Sequence, residues 1–243
     1  MDFLAKMRAS AFKRAAELET VYPDGPAVRP LRPVLKNMAV IAEVKYATPA
    51  EGDLGVAESP EQLAAIYEEG GAAAISCLTE PDYFKGSLDY LRCIRAVSSL
   101  PIVMKDFIVD ERQIAAGRCH GADAYLLIAE MLEVEELIRL FKFGQALGMP
   151  ALVEVHGLEG LAKLRGLEVE IVGVNVRDLA SLKVHPERHA AMVGLLPAGA
   201  IKVAESGITA GARLKQLGQL GYDAALIGRG LVNAASRGNI LCG

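Results

Sequence analysis

Eight short apolar runs recur from residue 38 to the end of the chain, and this rhythm limits the fold more than any other feature. The runs are Met38–Lys45, Ala72–Thr79, Pro101–Phe107, Ala124–Ala129, Ala151–Val155, Ile171–Val176, Ala200–Ser206 and Ala224–Gly228. They are continuous rather than alternating, which marks strands buried on both faces, as a parallel sheet requires. Between them, segments such as Pro60–Glu69, Ser87–Val97, Glu111–Cys119, Val134–Leu147 and Ala210–Leu220 carry helical periodicity. Glycines at Gly70-Gly71, Gly121, Gly148 and Gly221 stand where left-handed caps end helices. Eight strand-then-helix units predict a (β/α)8 (TIM) barrel of the α/β class, and 243 residues suit a fold that uses about 250. An open doubly wound sheet would carry a glycine-rich turn after its first strand; here the turn is Tyr46-Ala-Thr-Pro-Ala.

In front of the barrel, residues 2–18 read as an amphipathic helix, with Phe3, Leu4, Met7, Ala11, Phe12 and Ala15 at helical spacing. Pro23, Pro26, Pro30 and Pro33 make residues 22–35 an extended connector. The expected organisation is one domain: residues 1–37 as an additional N-terminal helix and proline-rich connector, residues 38–243 as the barrel. The N-terminus is charged from its second residue, and no apolar run approaches the roughly 18 residues of a membrane span, so a cytoplasmic protein is expected. A net charge of −4 gives no general attraction to nucleic acid or to an anionic membrane. Any phosphate must therefore be held by a local site. Cys77, Cys93, Cys119 and Cys242 have no metal-ligand spacing and read as reduced, packed thiols.

In such a barrel the C-terminal ends of the strands converge on one mouth, where chemistry is found. Reading those ends in order gives Glu43 and Lys45, Cys77 to Glu80, Lys105 and Asp106, and Ile128 to Glu130. Glu154, then Asn175 and Arg177, Glu205 to Gly207, and Gly228 to Gly230 complete the ring. Buried charges cost several kcal/mol each unless paired, so a core chosen for stability alone would not hold two lysines and three glutamates. A polar plug closing the barrel is the alternative. The residues suit acid–base work on a carbonyl or imine, because burial and neighbouring charge make a lysine a tunable proton donor. Glu205-Ser-Gly-Ile-Thr209 and Gly228-Arg-Gly-Leu231 run toward helices after the last two strands, a common arrangement for a phosphate cradle.

Several segments resemble the indole-3-glycerol phosphate synthase family of tryptophan biosynthesis. They include Ile41-Ala-Glu-Val-Lys45, Met104-Lys-Asp-Phe-Ile108, Leu152-Val-Glu-Val-His156, Gly173-Val-Asn-Val-Arg-Asp-Leu179 and Ala204-Glu-Ser-Gly-Ile208. The resemblance covers about residues 38 to 231, in the family's order and spacing. It implies ring closure of 1-(2-carboxyphenylamino)-1-deoxyribulose 5-phosphate, with loss of carbon dioxide and water, by a carboxy-lyase that uses no cofactor or metal. Lys105 would be the general acid and Glu154 its acid–base partner in the dehydration. Glu43 and Asn175 would orient the substrate, and Lys45 and Arg177 would receive its carboxylate. Ser206, Gly207, Gly228 and Arg229 would form the phosphate cradle, with Glu205, Thr48 and Phe107 also contacting substrate. The expected partner is that small phosphorylated molecule, together with other enzymes of the pathway; neither nucleic acid nor membrane is expected.

The sequence departs from the family at Thr48-Pro49-Ala50, where Ser-Pro-Ser is usual, and at Arg229, often small or acidic. Arg229 is expected to reach the phosphate and offset the hydroxyl missing at Ala50. His185 and His189 read as a solvated helix face and His156 as a loop residue pointing away from Glu154. Cys77 reads as a packed thiol at the mouth. Two other functions compete: a sibling barrel isomerase, which would want a Cys/Asp pair, and a binding-only paralogue, which would need neither both lysines nor both glutamates.

Overall fold

The computed structural model describes residues 3–19, 25–178, 181–209 and 211–232. Eight parallel strands close into a barrel: β1 (Ala39–Val44), β2 (Ala74–Leu78), β3 (Ile102–Lys105), β4 (Ala124–Ile128), β5 (Ala151–Val155), β6 (Ile171–Asn175), β7 (Ile201–Glu205) and β8 (Ala224–Ile227). Each pairs with its sequence neighbours, and β1 closes on β8 through Ala39–Ala224 to Ala42–Ile227. Each of the eight apolar runs contains one of these strands. Their residues are buried almost throughout because both faces are covered, by the barrel interior and by the helices outside.

The helices are α1 (Phe3–Ala16), α2 (Pro60–Glu69), α3 (Pro81–Phe84), α4 (Asp89–Val97), α5 (Glu111–His120), α6 (Val134–Ala146), α7 (Leu158–Lys163), α8 (Arg188–Val193) and α9 (Gly211–Leu220). The start expected at Ala210 lies outside the described residues, as do Leu179, Pro23 and Cys242. Local chemistry sets the helix ends. Ser59 and Asp110 form capping boxes with Gln62 and Gln113, and Gly121 closes α5 in a left-handed cap at φ 99°. The connector is not wholly extended. Arg32–Val34 makes one 3-10 turn, since proline fits the first turn of a helix, where no N–H is needed.

The additional helix α1 sits against the barrel rather than apart from it. Leu4, Met7 and Ala11 join Leu31 and Leu35 in the same hydrophobic cluster as the strands. The helix is fastened to the barrel by Arg14, which donates to both oxygens of Asp106, and by Arg8, which donates to Met131 O and Glu136. Phe3 meets Phe107 and Tyr83 edge-to-face, at 6.2 and 5.9 Å between ring centres. Such pairs add about 1 kcal/mol beyond their burial. The N-terminal segment thus covers one side of the barrel mouth. No helix among the described residues is long and apolar enough to cross a membrane.

Candidate active site

A cavity of about 330 Å³ opens at the C-terminal mouth of the barrel. Leu78, Leu126, Ile128 and Leu226 form apolar wall, and Phe3, Phe84 and Phe107 form one side. The strand-end residues Glu43, Lys45, Lys105, Glu154, Asn175, Arg177, Glu205, Ser206, Gly207, Gly228 and Arg229 all line it, as does Thr48. Closure of the barrel accounts for this convergence, since alternate residues of every strand point to one interior.

Lys105 is the centre of the floor. Its Nζ lies 2.9 Å from Glu154 Oε2 and 3.0 Å from Glu205 Oε2. Burial lowers the ammonium's affinity for its proton, but Glu154, Glu205 and Glu43 outweigh it and raise the pKa. Burial pushes the Glu205 carboxyl up to about 8, with Lys105 pulling against it and the charge of Glu154 adding to it. Burial acts on Glu154 in the same direction, yet Lys105 and His156 overcome it and hold this carboxyl well below the ordinary range. At neutral pH the floor therefore offers an ammonium, one ionised carboxylate and one protonated carboxyl. Two like carboxyls in contact with one cation are driven apart in this way.

Small residues make room for these groups. A Cβ at Gly173 would overlap Oε1 of Glu205, and one at Gly228 would overlap Oε1 of Glu43 and crowd Lys45 Nζ. Lys45 and Glu43 are themselves paired at the rim of β1. Asn175 is held by three hydrogen bonds. Its Nδ2 donates to Glu154 Oε1 at 3.1 Å, and its Oδ1 accepts from Ser206 Oγ at 2.8 Å and Arg177 N at 3.0 Å. Ser206 sits in the left-handed region at φ 68°, followed by Gly207 at φ 70°. For a non-glycine residue that conformation costs on the order of 1 kcal/mol, the kind of strain that clusters at functional turns.

Other side chains singled out in the sequence have partners that only the structure gives. The Arg177 guanidinium donates to Leu182 O at 2.8 Å, within the loop after β6. The Thr48 hydroxyl accepts from Glu51 N at 3.1 Å, closing the tight turn of a small hairpin, Ala47–Thr48 with Gly52–Asp53. Arg229 is half-exposed, and its Nε donates to Glu51 at 2.8 Å. Cys77 is packed, as expected, but faces out of the barrel rather than into the mouth, and burial raises its thiol pKa. His189 is fully buried against Tyr222 at 5.5 Å rather than solvated. Burial and then Arg213 lower it to about 4, so it stays neutral. His156 is the first residue past β5, a loop residue as expected, but it is not turned away from Glu154. The strand's alternation carries one residue past its end, so His156 falls on the face of Glu154, and its Nε2 lies 2.8 Å from Glu154 Oε1. That spacing was the available signal. Glu130, one of the strand-end residues, accepts through Oε1 from the backbone N–H groups of His156 and Gly157, contacts that only the structure gives.

A closed eight-stranded barrel with paired acid–base groups at its C-terminal mouth defines the class of (β/α)8-barrel proteins with a charged central pocket. Solved structures agree on the fold. The chain superposes on N-acetylmannosamine-6-phosphate 2-epimerase from Clostridium perfringens with a TM-score of 0.62 at 16% identity, covering 86% of this chain and 93% of that one. A second match, 3-hexulose-6-phosphate synthase from Salmonella typhimurium, has a TM-score of 0.64 at 14% identity, covering 84% and 95%. The chain belongs to the indole-3-glycerol phosphate synthase family, whose model matches residues 6–241. It is 44% identical over 206 residues to the indole-3-glycerol phosphate synthase of Carboxydothermus hydrogenoformans, covering 84% of this chain and 78% of the relative. The corresponding protein of Mycolicibacterium gilvum is 42% identical over 231 residues, covering 95% and 82%.

Proposed function

We propose that the chain carries out the reaction its family is named for, with Lys105 as the proton donor at its centre. The substrate, 1-(2-carboxyphenylamino)-1-deoxyribulose 5-phosphate, loses carbon dioxide and water as its ring closes to indole-3-glycerol phosphate. The observation that carries the reading is Lys105 Nζ, held between Glu154 and Glu205 at the floor of the cavity described above. An ammonium so held cannot swing away, and it points at whatever carbonyl enters.

On this reading Lys105 protonates the substrate carbonyl as the aryl ring attacks, which develops negative charge on that oxygen. Glu154, ionised, takes a proton from the ring-closed intermediate and passes it to the departing hydroxyl, which leaves as water. Glu43 and Asn175 orient the substrate, and Ser206 supports Asn175 through its hydroxyl. Lys45 and Arg177 receive the carboxylate that is lost as carbon dioxide. Glu205 and Phe107 line the bound molecule, and Thr48, Gly207, Gly228 and Arg229 surround its phosphate. Loops after the last two strands of this fold commonly hold phosphate. A mixed apolar and charged cavity of about 330 Å³ suits an aromatic ring joined to a sugar phosphate.

The reading includes a single domain, supported by the shared core of α1 and the strands. It also includes a cytoplasmic enzyme, supported by free Cys77 and Cys93, and other tryptophan-pathway enzymes as partners. The test is fluorescence detection of indole-3-glycerol phosphate formed from the carboxyphenylamino substrate by the purified protein. Absence of that product at micromolar enzyme would defeat the reading.

A further inference from the structure

The His156 side chain is almost wholly covered beside the floor of the cavity, and its two ring nitrogens have different partners. Nδ1 lies 2.9 Å from Arg177 O, and Nε2 lies 2.8 Å from Glu154 Oε1. A backbone carbonyl only accepts, so Nδ1 carries a hydrogen. Nε2 then faces a carboxylate oxygen at hydrogen-bonding distance, and that contact also needs a proton. The other oxygen of Glu154, Oε2, accepts from Lys105 Nζ at 2.9 Å. A cation on that side favours the ionised carboxylate, so the shared proton rests on the imidazole.

We propose that His156 is a positioning residue for Glu154: as an imidazolium it occupies Oε1 and leaves Oε2, on the Lys105 side, as the only oxygen that exchanges protons with the substrate. The proposal deepens the assignment of Glu154 as the acid–base partner and rests on it. The surroundings of the ring agree. Glu154 faces it from β5, and Glu130, from the turn after β4, holds the His156 and Gly157 N–H groups at 2.8 and 3.0 Å. Arg177 contributes its carbonyl from the loop after β6. Lys105 and Glu205 act on the ring through Glu154. Burial alone would strip the ring of its charge, but the bond to Glu154, then the charges of Glu154 and Glu130, raise its pKa. Gly160, on α7, leaves the space Glu130 occupies: a Cβ there would overlap the Glu130 carboxylate. The ring is thus fixed on both edges, and Glu154 is fixed by the ring. The arrangement resembles a carboxylate–histidine pair read in reverse, the histidine orienting the acid rather than the acid orienting the histidine.

Two measurements test this, and one does not depend on turnover. The chain has four histidines, so the ring nitrogens of a nitrogen-15 histidine-labelled sample are resolvable by NMR, with His156 assigned by its loss in His156→Gln. Both nitrogens of His156 are expected to be protonated at pH 7.5; a bare ring nitrogen would overturn the proposal. In kinetics, His156→Gln keeps a neutral donor toward Oε1 beside Asn175 Nδ2, and His156→Leu leaves Asn175 Nδ2 alone there. The expected kcat falls on the order of tenfold in the first and a hundredfold in the second, with KM within about twofold. The acid limb of the kcat–pH profile moves to higher pH in both, because Glu154 has lost the cation that holds it ionised. An unmoved acid limb, with kcat reduced only in proportion to the folded fraction, would mean a merely structural ring. If His156→Leu does not fold, His156→Gln and the wild-type spectrum decide. If the wild type makes no indole-3-glycerol phosphate, the functional reading fails while the spectrum still tests the His156–Glu154 contact.

Discussion

Arg14 and Asp106 are joined by two hydrogen bonds of 3.0 and 2.7 Å across 92 residues of chain. Asp106 directly follows Lys105 but points the other way, out of the barrel, where it also accepts from Thr79 Oγ1 and Phe107 N, each at 2.7 Å. One carboxylate therefore ties the N-terminal helix to the strand that carries the proposed general acid. Removing the arginine would leave a buried charge short of its cation. Arg14→Ala is expected to lower stability by about 3 kcal/mol and to raise KM as Phe3 loosens from the cavity side. Urea unfolding read beside steady-state kinetics checks both, and a loss under about 0.5 kcal/mol would show that α1 is held by its apolar face alone.

Lys105→Met is expected to lower kcat by about two to four orders of magnitude. The variant keeps the fold, because Glu154 retains Asn175 and His156 as partners. Circular dichroism and binding of the product would be compared with turnover. A variant holding more than a tenth of wild-type kcat would remove Lys105 from the chemistry.

Glu205 gives a pH dependence of known sign. Its folded value of about 8 lies above the ordinary 4.5, so between those pH values the folded protein holds a proton that the unfolded chain has released. Stability should therefore fall as pH rises from about 4.5 to about 8 and then level off, at up to about 1.4 kcal/mol per unit. Glu205→Gln removes this slope, since an amide does not titrate. Denaturant midpoints measured at pH 5, 6.5 and 8 distinguish the two proteins; parallel curves would place the proton elsewhere. In turnover, wild-type kcat should fall above about pH 8, and the glutamine variant should lack that limb.

The Arg229–Glu51 pair closes over the rim beside Ala50, the position where the family's usual serine is missing. Both side chains are about half exposed, so the pair itself adds no more than about 1 kcal/mol to stability. Arginine grips phosphate through charge-assisted hydrogen bonds, and Glu51 competes with the substrate for that cation. Glu51→Gln is expected to lower KM a few-fold, whereas Arg229→Ala raises it and makes it less sensitive to salt. Ala50→Ser should change KM little. Unchanged KM in Arg229→Ala would mean the guanidinium serves only the ion pair.

The eight strands could be read from the sequence because a strand covered on both faces must be apolar along its whole length, and that pattern is local. The charged residues ending those strands were legible for the same reason: Lys105, Glu154 and Glu205 interrupt runs of Val, Ile, Leu and Ala that have no other use for them. That these residues share one pocket followed from the count of eight alone, since a closed barrel sends every strand end to the same mouth. Their pairings did not follow. Lys105 meets partners 49 and 100 residues away because the strand register sets them at one height, and no spacing in the chain encodes that height. The opposite proton states of Glu154 and Glu205 likewise depend on burial and on which neighbour each touches. His189 looks like a surface residue until α8 packs it against Tyr222, and no spacing foretells that the hairpin turn brings Glu51 to Arg229. Local patterning by itself determined the elements and the residue types at the mouth; tertiary closure decided which of them touch, because contact, burial and charge coupling exist only once distant segments share one low-dielectric space.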